Sequence, residues 1–278
     1  MKADFADIGL SFLIFYFSFF PLFMLNFSLN HIPSRPEKPR TEGVTMVIDK
    51  GMSIRETEDF LSVASDYVDI VKLGWGTSVL TPKLKEKLNV FAAHNMPVYF
   101  GGTLFEIFYV RKQLDDYCRI LDEFNIGHLE VSDGSMDMTT EEKTAVIRQL
   151  AKNFTVYSEV GSKDATKIIA PYLWVEMMQA ELDAGSTKVI AEARETGTVG
   201  MFHANGGVRS DLIDEILHQI PSEKILWEAP QKSQQVWFIQ LLGHNVNLGN
   251  IPPNEALPLE TLRLGLRGDT FDLFLPKS

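Results

Sequence analysis

One cysteine, Cys118, is all that a chain of 278 residues carries. No intrachain disulfide can form, and no zinc or redox motif is present. Cys118 lies on the apolar face of a helical stretch and reads as a buried structural thiol. Histidine is thin as well, at six residues, none in His-x-x-x-His spacing, so no nitrogen set for zinc is offered. His203, His218 and His244 stand isolated and read as loop or surface residues. Basic charge is also short: 26 Lys and Arg face 37 Asp and Glu, for a net charge of −11. A nucleic-acid binder normally shows the opposite balance. Finally, no Gly-x-Gly-x-x-Gly turn follows the first strand, which argues against an open dinucleotide-binding sheet.

What is present is ordinary for a globular protein, with 45% hydrophobic and 23% charged residues, and it fits one large domain or two small ones. Residues 8–30 are uncharged and rich in Phe, Leu and Ile, long enough to cross a bilayer. A membrane anchor flanked by Arg35, Lys38 and Arg40, a start at Met24, and a signal sequence all remain open. As a signal the segment is poor, because Asp4 and Asp7 sit beside Lys2. The expected organisation is an apolar extension over 1–30, a Pro-rich basic arm over 31–43, and a folded domain over 44–278. The arm's basic residues are either solvated or cap the domain or a neighbouring subunit. A cytoplasmic location is expected, with anchoring by residues 8–30 left open.

From Val44 the chain becomes regular. Apolar runs at 44–48, 68–73, 97–100, 128–131, 154–157, 187–190, 224–227 and 246–248 alternate with amphipathic stretches. Ser53 with Glu56 and Thr139 with Glu142 form capping boxes that open helices. Leu114, Tyr117, Cys118, Leu121 and Phe124 recur at helical spacing, as do Leu212, Ile213, Ile216, Leu217 and Ile220. Near-continuous apolar strands are those of a buried parallel sheet. Eight strand–helix units predict an α/β fold, the (β/α)8 TIM barrel.

In such a barrel every strand exit faces one mouth. Asp49, Glu130, Asp133, Glu159, Glu192 and Glu228 would gather there, with Lys50, Lys72, Lys163, Arg194 and Lys232. Buried unpaired charge costs several kcal/mol per group, so this many ionisable groups on one rim point to chemistry rather than core stability. The acids suit a hard divalent cation such as Mg2+. The cations suit an anionic substrate drawn in by local focusing. Lys163 follows the Glu159-Val160-Gly161 turn and can serve as a general acid or as an ion-pair partner of Glu159. Residues 196–208 are Gly-rich and aperiodic, a closing lid or a plain loop. Arg263 and Arg267 lie four apart, as on one helical face, and either line an anion pocket or pair with barrel acids.

Several segments, taken in order, carry a resemblance. They are Lys72-Leu73-Gly74-Trp75-Gly76-Thr77-Ser78, Gly101-Gly102-Thr103-Leu104-Phe105-Glu106 and Glu130-Val131-Ser132-Asp133-Gly134-Ser135. Further along come Glu159-Val160-Gly161-Ser162-Lys163, Glu228-Ala229-Pro230-Gln231-Lys232-Ser233-Gln234-Gln235 and Leu264-Gly265-Leu266-Arg267-Gly268-Asp269-Thr270-Phe271. Together they resemble the phosphosulfolactate synthase family across residues 43–271. The resemblance implies a (β/α)8 lyase that adds sulfite to phosphoenolpyruvate with Mg2+, giving (2R)-phospho-3-sulfolactate, the start of coenzyme M biosynthesis in methanogens. It implies Lys163 as proton donor to C2. At the rim, Glu159, Glu192 and Glu228 are expected to hold the cation with Asp133 in reserve, and Lys50, Lys72, Arg194, Gln231 and Lys232 to bind the anionic groups. Ser162 stands where family members can carry lysine, and the lid lacks lysines that some members have.

Two rivals are weighed. One is a Schiff-base aldolase using Lys72 or Lys163. The other is a non-enzymatic homologue like the plant heat-stress-associated proteins, which the family also resembles. Barrels of this size often associate, so a homo-oligomer is compatible with the chain, although no interface is legible.

Overall fold

Eight parallel strands carry the fold, and their sequences explain why they are buried. They are β1 (Thr45–Asp49), β2 (Ile70–Leu73), β3 (Val98–Phe100), β4 (His128–Val131), β5 (Thr155–Val160), β6 (Lys188–Ala191), β7 (Ile225–Glu228) and β8 (Leu248–Ile251). β1, β2, β3, β6, β7 and β8 are buried at every residue, as expected when the crossover helices cover one face and the barrel interior the other. This computed structural model describes residues 25–161, 169–193, 200–203 and 207–276. Lys163 and Arg194, and most of the proposed lid, lie outside them. Within that lid Phe202 and Val208 form an antiparallel bridge.

The strand order is β3-β2-β1-β8-β7-β6-β5-β4, with every ladder parallel. This is a (β/α)8 barrel that is nearly closed. No ladder joins β3 to β4. Side chains bridge that seam instead: the Tyr99 hydroxyl donates to Glu130 Oε2 at 2.9 Å and the Gly102 N–H donates to Glu130 Oε1 at 2.8 Å.

The helices are α1 (Ile54–Ala64), α2 (Leu84–Ala93), α3 (Gly102–Val110), α4 (Leu114–Glu123), α5 (Thr140–Leu150), α6 (Pro171–Asp183), α7 (Ser210–Gln219), α8 (Lys232–Leu242) and α9 (Ala256–Arg263). Both capping boxes form. Ser53 Oγ accepts the Glu56 N–H at 3.2 Å while Glu56 Oε2 accepts the Ser53 N–H at 2.7 Å. Thr139 and Glu142 repeat the exchange at α5. On α4, Tyr117 and Leu121 are buried, but Cys118 is only half-buried, at the edge of the apolar stripe rather than its centre. The arm packs under the barrel. Arg35 Nε donates to Glu260 Oε1 at 2.9 Å, and Arg40 pairs with Asp69 at 3.1 Å. α9 stops at Arg263, so Arg267 is not on the same helix. Arg263 is fully buried at the base, donating to the carbonyls of His244 at 2.6 Å and Val246 at 2.7 Å. Among the described residues no helix is long and apolar enough to cross a membrane.

Candidate active site

The upper barrel interior is polar where strands β2, β4, β5 and β7 each turn an ionisable side chain inward. Lys72 from β2 is the centre of that set. Its Nζ lies 3.1 Å from Glu130 Oε2, 3.1 Å from Glu228 Oε1 and 3.9 Å from Glu159 Oε2. Burial alone would drive off its proton; Glu130, Glu228 and Glu159 outweigh that and hold its pKa above the usual lysine value. Lys72 is therefore kept as an ammonium. A Schiff base needs the neutral amine, so this environment works against the aldolase alternative at Lys72.

The acids are held as firmly. Glu228 Oε2 accepts the Ala193 N–H at 2.8 Å. Burial pushes the Glu228 carboxyl up to about 7; Lys72 opposes that shift, and Glu159 and Glu130 add to it. Ser132 Oγ lies 2.9 Å from Glu159 Oε1 and 2.7 Å from Glu106 Oε1. One hydroxyl has one proton, so it donates to only one of the two at a time. Behind them, Lys143 on α5 donates to the Glu159 backbone carbonyl at 2.6 Å and pairs with Glu181 at 2.8 Å and Asp133 at 2.7 Å. It thereby pins the strand that carries Glu159.

Lys72, Glu130, Glu159 and Glu228 line a cavity of about 390 Å3, together with Glu192 and Asn250. Glu130, Glu159, Glu192, Glu228 and Lys72 are each 5% exposed or less. Two glycines make room for the set. A Cβ on Gly102 would sit 2.4 Å from Ser132 Cβ and 2.6 Å from Glu130 Oε1. Gly161 has φ +146, and its Cβ would meet Glu192 Cβ at 2.6 Å, so a side chain is excluded both by conformation and by space.

Of the residues singled out from sequence, Lys72, Glu159, Glu192 and Glu228 converge here, and Glu130 joins them. Asp133 is bound to Lys143 and lines an adjoining cavity. Asp49 serves its own βα turn, accepting the Gly51 and Met52 N–H groups at 2.8 and 2.7 Å and pairing with Lys87 at 2.5 Å. Lys50 Nζ lies 5.0 Å from the Trp75 ring centroid, and Trp75 lines the cavity. Lys232 pairs with Asp269 at 2.7 Å and is partly exposed. Gln231 precedes α8, its N–H donating to Gln234 Oε1 at 3.1 Å. Glu106, Ser132, Tyr99 and Lys143 were not selected from sequence. Glu106 had a usable signal, as the one charged residue of α3.

The donor set among the described residues is chemically suited to a hard divalent cation: carboxylate oxygens outnumber the ammonium that faces them, and the cavity lining includes no sulfur or imidazole. Among the described residues no three such side chains already form a ligand cluster.

Comparison with known proteins adds the following. The (2R)-phospho-3-sulfolactate synthase (ComA) family profile matches residues 33–269. The chain is 44% identical over 253 residues to the phosphosulfolactate synthase of Bacillus subtilis (strain 168), covering 90% of this chain and 100% of that one. It is 43% identical over 244 residues to the phosphosulfolactate synthase of Methanothermobacter thermautotrophicus, covering 86% and 95%. Protein HEAT-STRESS-ASSOCIATED 32 of Arabidopsis thaliana is more distant, 24% identical over 254 residues, covering 82% and 88%. Among solved structures, 3-hexulose-6-phosphate synthase from Salmonella typhimurium superposes with a TM-score of 0.50 at 16% identity, covering 81% and 100%; that likeness concerns the barrel fold alone.

Proposed function

The chain belongs to the phosphosulfolactate synthase family, and from that premise we propose that it catalyses the Mg2+-dependent addition of sulfite to phosphoenolpyruvate, giving (2R)-phospho-3-sulfolactate. The observation that carries this reading is the buried Lys72 ammonium ringed by Glu130, Glu159 and Glu228 at the barrel mouth. Such a site is built to manage charge on a small anionic substrate.

The reaction is a conjugate addition. The sulfite sulfur lone pair forms a C–S bond at the methylene carbon, C3. The π electrons of the C2–C3 bond move onto C2 and the carboxylate. A proton then reaches C2, and the phosphate ester stays in place. Glu159, Glu192 and Glu228 would hold Mg2+, with Asp133 in reserve, and the bound ion would supply electrostatic stabilisation of the charge growing on the substrate carboxylate. Lys163 delivers the proton to C2. Lys50, Lys72, Arg194, Gln231 and Lys232 contact the phosphate, carboxylate and sulfonate groups. Lys72 also keeps the mouth acids apart and fixed, which limits reorganisation during the step. The non-enzymatic reading draws less support, since the relative it rests on is the more distant one.

The test is consumption of phosphoenolpyruvate with and without sulfite. Sulfite-dependent turnover is expected, and Lys163→Ala should lower it about 10²–10⁴-fold, the usual share of a general acid, with the fold unchanged by circular dichroism. Absence of any sulfite-dependent turnover would defeat the proposal. Full activity in Lys163→Ala would remove the proton-donor role alone.

A further inference from the structure

The opposite end of the barrel holds a second cavity, of about 630 Å3, between the arm and the strand N-termini. Lys38, Arg40, Lys188 and Lys224 line it against Asp69 and Glu223. In a chain of net charge −11 this is a local positive excess, and the acids nearby do little to cancel it. Asp69 is already engaged, Oδ1 by Arg40 at 3.1 Å and Oδ2 by the Thr45 N–H at 2.8 Å. Glu223 is exposed.

Among the described residues, Lys188 and Lys38 hydrogen-bond to neutral acceptors only. Lys188, 9% exposed, donates to the carbonyls of Thr41 at 2.7 Å and Glu223 at 2.5 Å. Lys38 donates to the carbonyls of Ser65 at 2.8 Å and Val68 at 2.5 Å. An ammonium has three N–H donors, so each retains one beyond these two bonds. A buried charge left without a counter-charge is costly, and Lys188 stands so beside the cavity, whereas Lys38 is exposed with Asp69 and Asp66 acting on it. Burial first, then the Lys224 ammonium, hold the Lys188 pKa below the ordinary lysine value, against the pull of Glu223, Asp69 and Glu42. Burial likewise lowers that of Lys38. An oxyanion in the cavity would give the buried Lys188 a counter-charge, with the exposed Lys38 and Lys224 as further donors.

We propose that this basal cavity binds a small multiply charged oxyanion of the phosphate class, held by Lys38, Lys188 and Lys224, at a site separate from the mouth. The site does not rest on the reaction proposed above. Arg40 and the arm close its floor, so the arm becomes part of a binding site as well as a clasp on the barrel.

The experiment is calorimetric titration of the full chain with inorganic phosphate, at an ionic strength held constant with sodium chloride. Saturable binding is expected. Lys188→Gln should weaken it about tenfold or more, the value of a charge-assisted hydrogen bond. Lys224→Gln, at an exposed position, should weaken it about two- to fivefold. Neither should move the KM for phosphoenolpyruvate. A parallel titration with glycerol phosphate separates the sources: binding of the ester alone would make an organic phosphate the occupant, binding of the free ion alone the inorganic one. The proposal is overturned if neither ligand saturates, or if binding is indifferent to both variants. It is equally overturned if Lys188→Gln lowers the melting temperature and leaves phosphate affinity untouched, which would make Lys188 a tether between the arm and the barrel and nothing more.

Discussion

Lys72 is the residue on which the mouth depends, because three carboxylates within 4 Å would otherwise face one another. Removing one partner of a buried charge network costs about 3–5 kcal/mol. Lys72→Met is expected to lose stability on that scale in urea and to abolish turnover; a stable, active variant would show that the acids need no central cation. Glu228 gives a prediction with a sign. Its carboxyl, raised from 4.5 to about 7 chiefly by burial, keeps its proton in the folded state through a window where the unfolded chain has released it. The folded state then binds more protons than the unfolded one, so stability falls as pH rises from about 4.5 to about 7. Glu228→Gln removes that titration. Urea midpoints measured across the window should fall less steeply in the variant than in the wild type, and an unchanged slope would place the titration on another group.

At the scale of elements, the seam between β3 and β4 is the weak line of the barrel, and Glu130 closes it while also facing Lys72. Gly102→Ala pushes a methyl into Glu130 and Ser132. It is expected to cost about 1–3 kcal/mol, as overpacking does, and to lower turnover with it. Gly127→Ala, where a Cβ meets nothing within 4 Å, is the control. If both variants melt together, the seam carries no special load. All eight strands and both capping boxes were legible from apolar runs and cap spacing. Strand ends were not. β5 runs to Val160 and β8 to Ile251, beyond the expected 157 and 248. The reason is physical. Glu159 is polar because it faces the barrel interior. Ser158 faces the other side of the strand and bonds Ser186 Oγ at 2.8 Å. Asn250 has positive φ where β8 shifts register against β1. All three therefore looked like exits while still inside their strands. At the start of β8, Asn247 substitutes its side chain for regular pairing, bonding the Ile225 carbonyl at 3.0 Å and the Val44 N–H at 3.0 Å. The expected shared face of Arg263 and Arg267 is absent because α9 ends at Arg263; Arg263 does pair with an acid, Glu260 at 4.0 Å, but its main partners are base carbonyls that no local pattern reveals.

For the whole molecule, the convergence of Lys72, Glu159, Glu192 and Glu228 was legible because topology alone sends strand exits to one mouth. Which rim residues would instead pair off locally was not: Asp133 with Lys143 is a loop–helix contact and Asp49 with Lys87 a strand–helix contact, both set by packing. Among the described residues, what remains at the mouth is a surplus of carboxylate over ammonium, inside a chain already at −11. A ligand that binds only the folded state stabilises it by RT ln(1 + [L]/Kd), about 2.7 kcal/mol at a hundredfold excess over Kd. For a domain of this size that corresponds to a melting shift of about 5–10 °C. Added Mg2+ should therefore raise the melting temperature of the substrate-free protein, and EDTA should reverse the rise. Glu159→Gln combined with Glu192→Gln should abolish the response while leaving α5 and its Lys143–Glu181 pair intact. Sodium chloride at matched ionic strength should not reproduce it, since screening acts on exposed charges and far less on buried ones. A wild-type protein indifferent to Mg2+, or a double variant that responds as the wild type does, would mean that these acids do not hold the cation in the substrate-free protein and that the cation, if the reaction uses one, arrives only with the substrate.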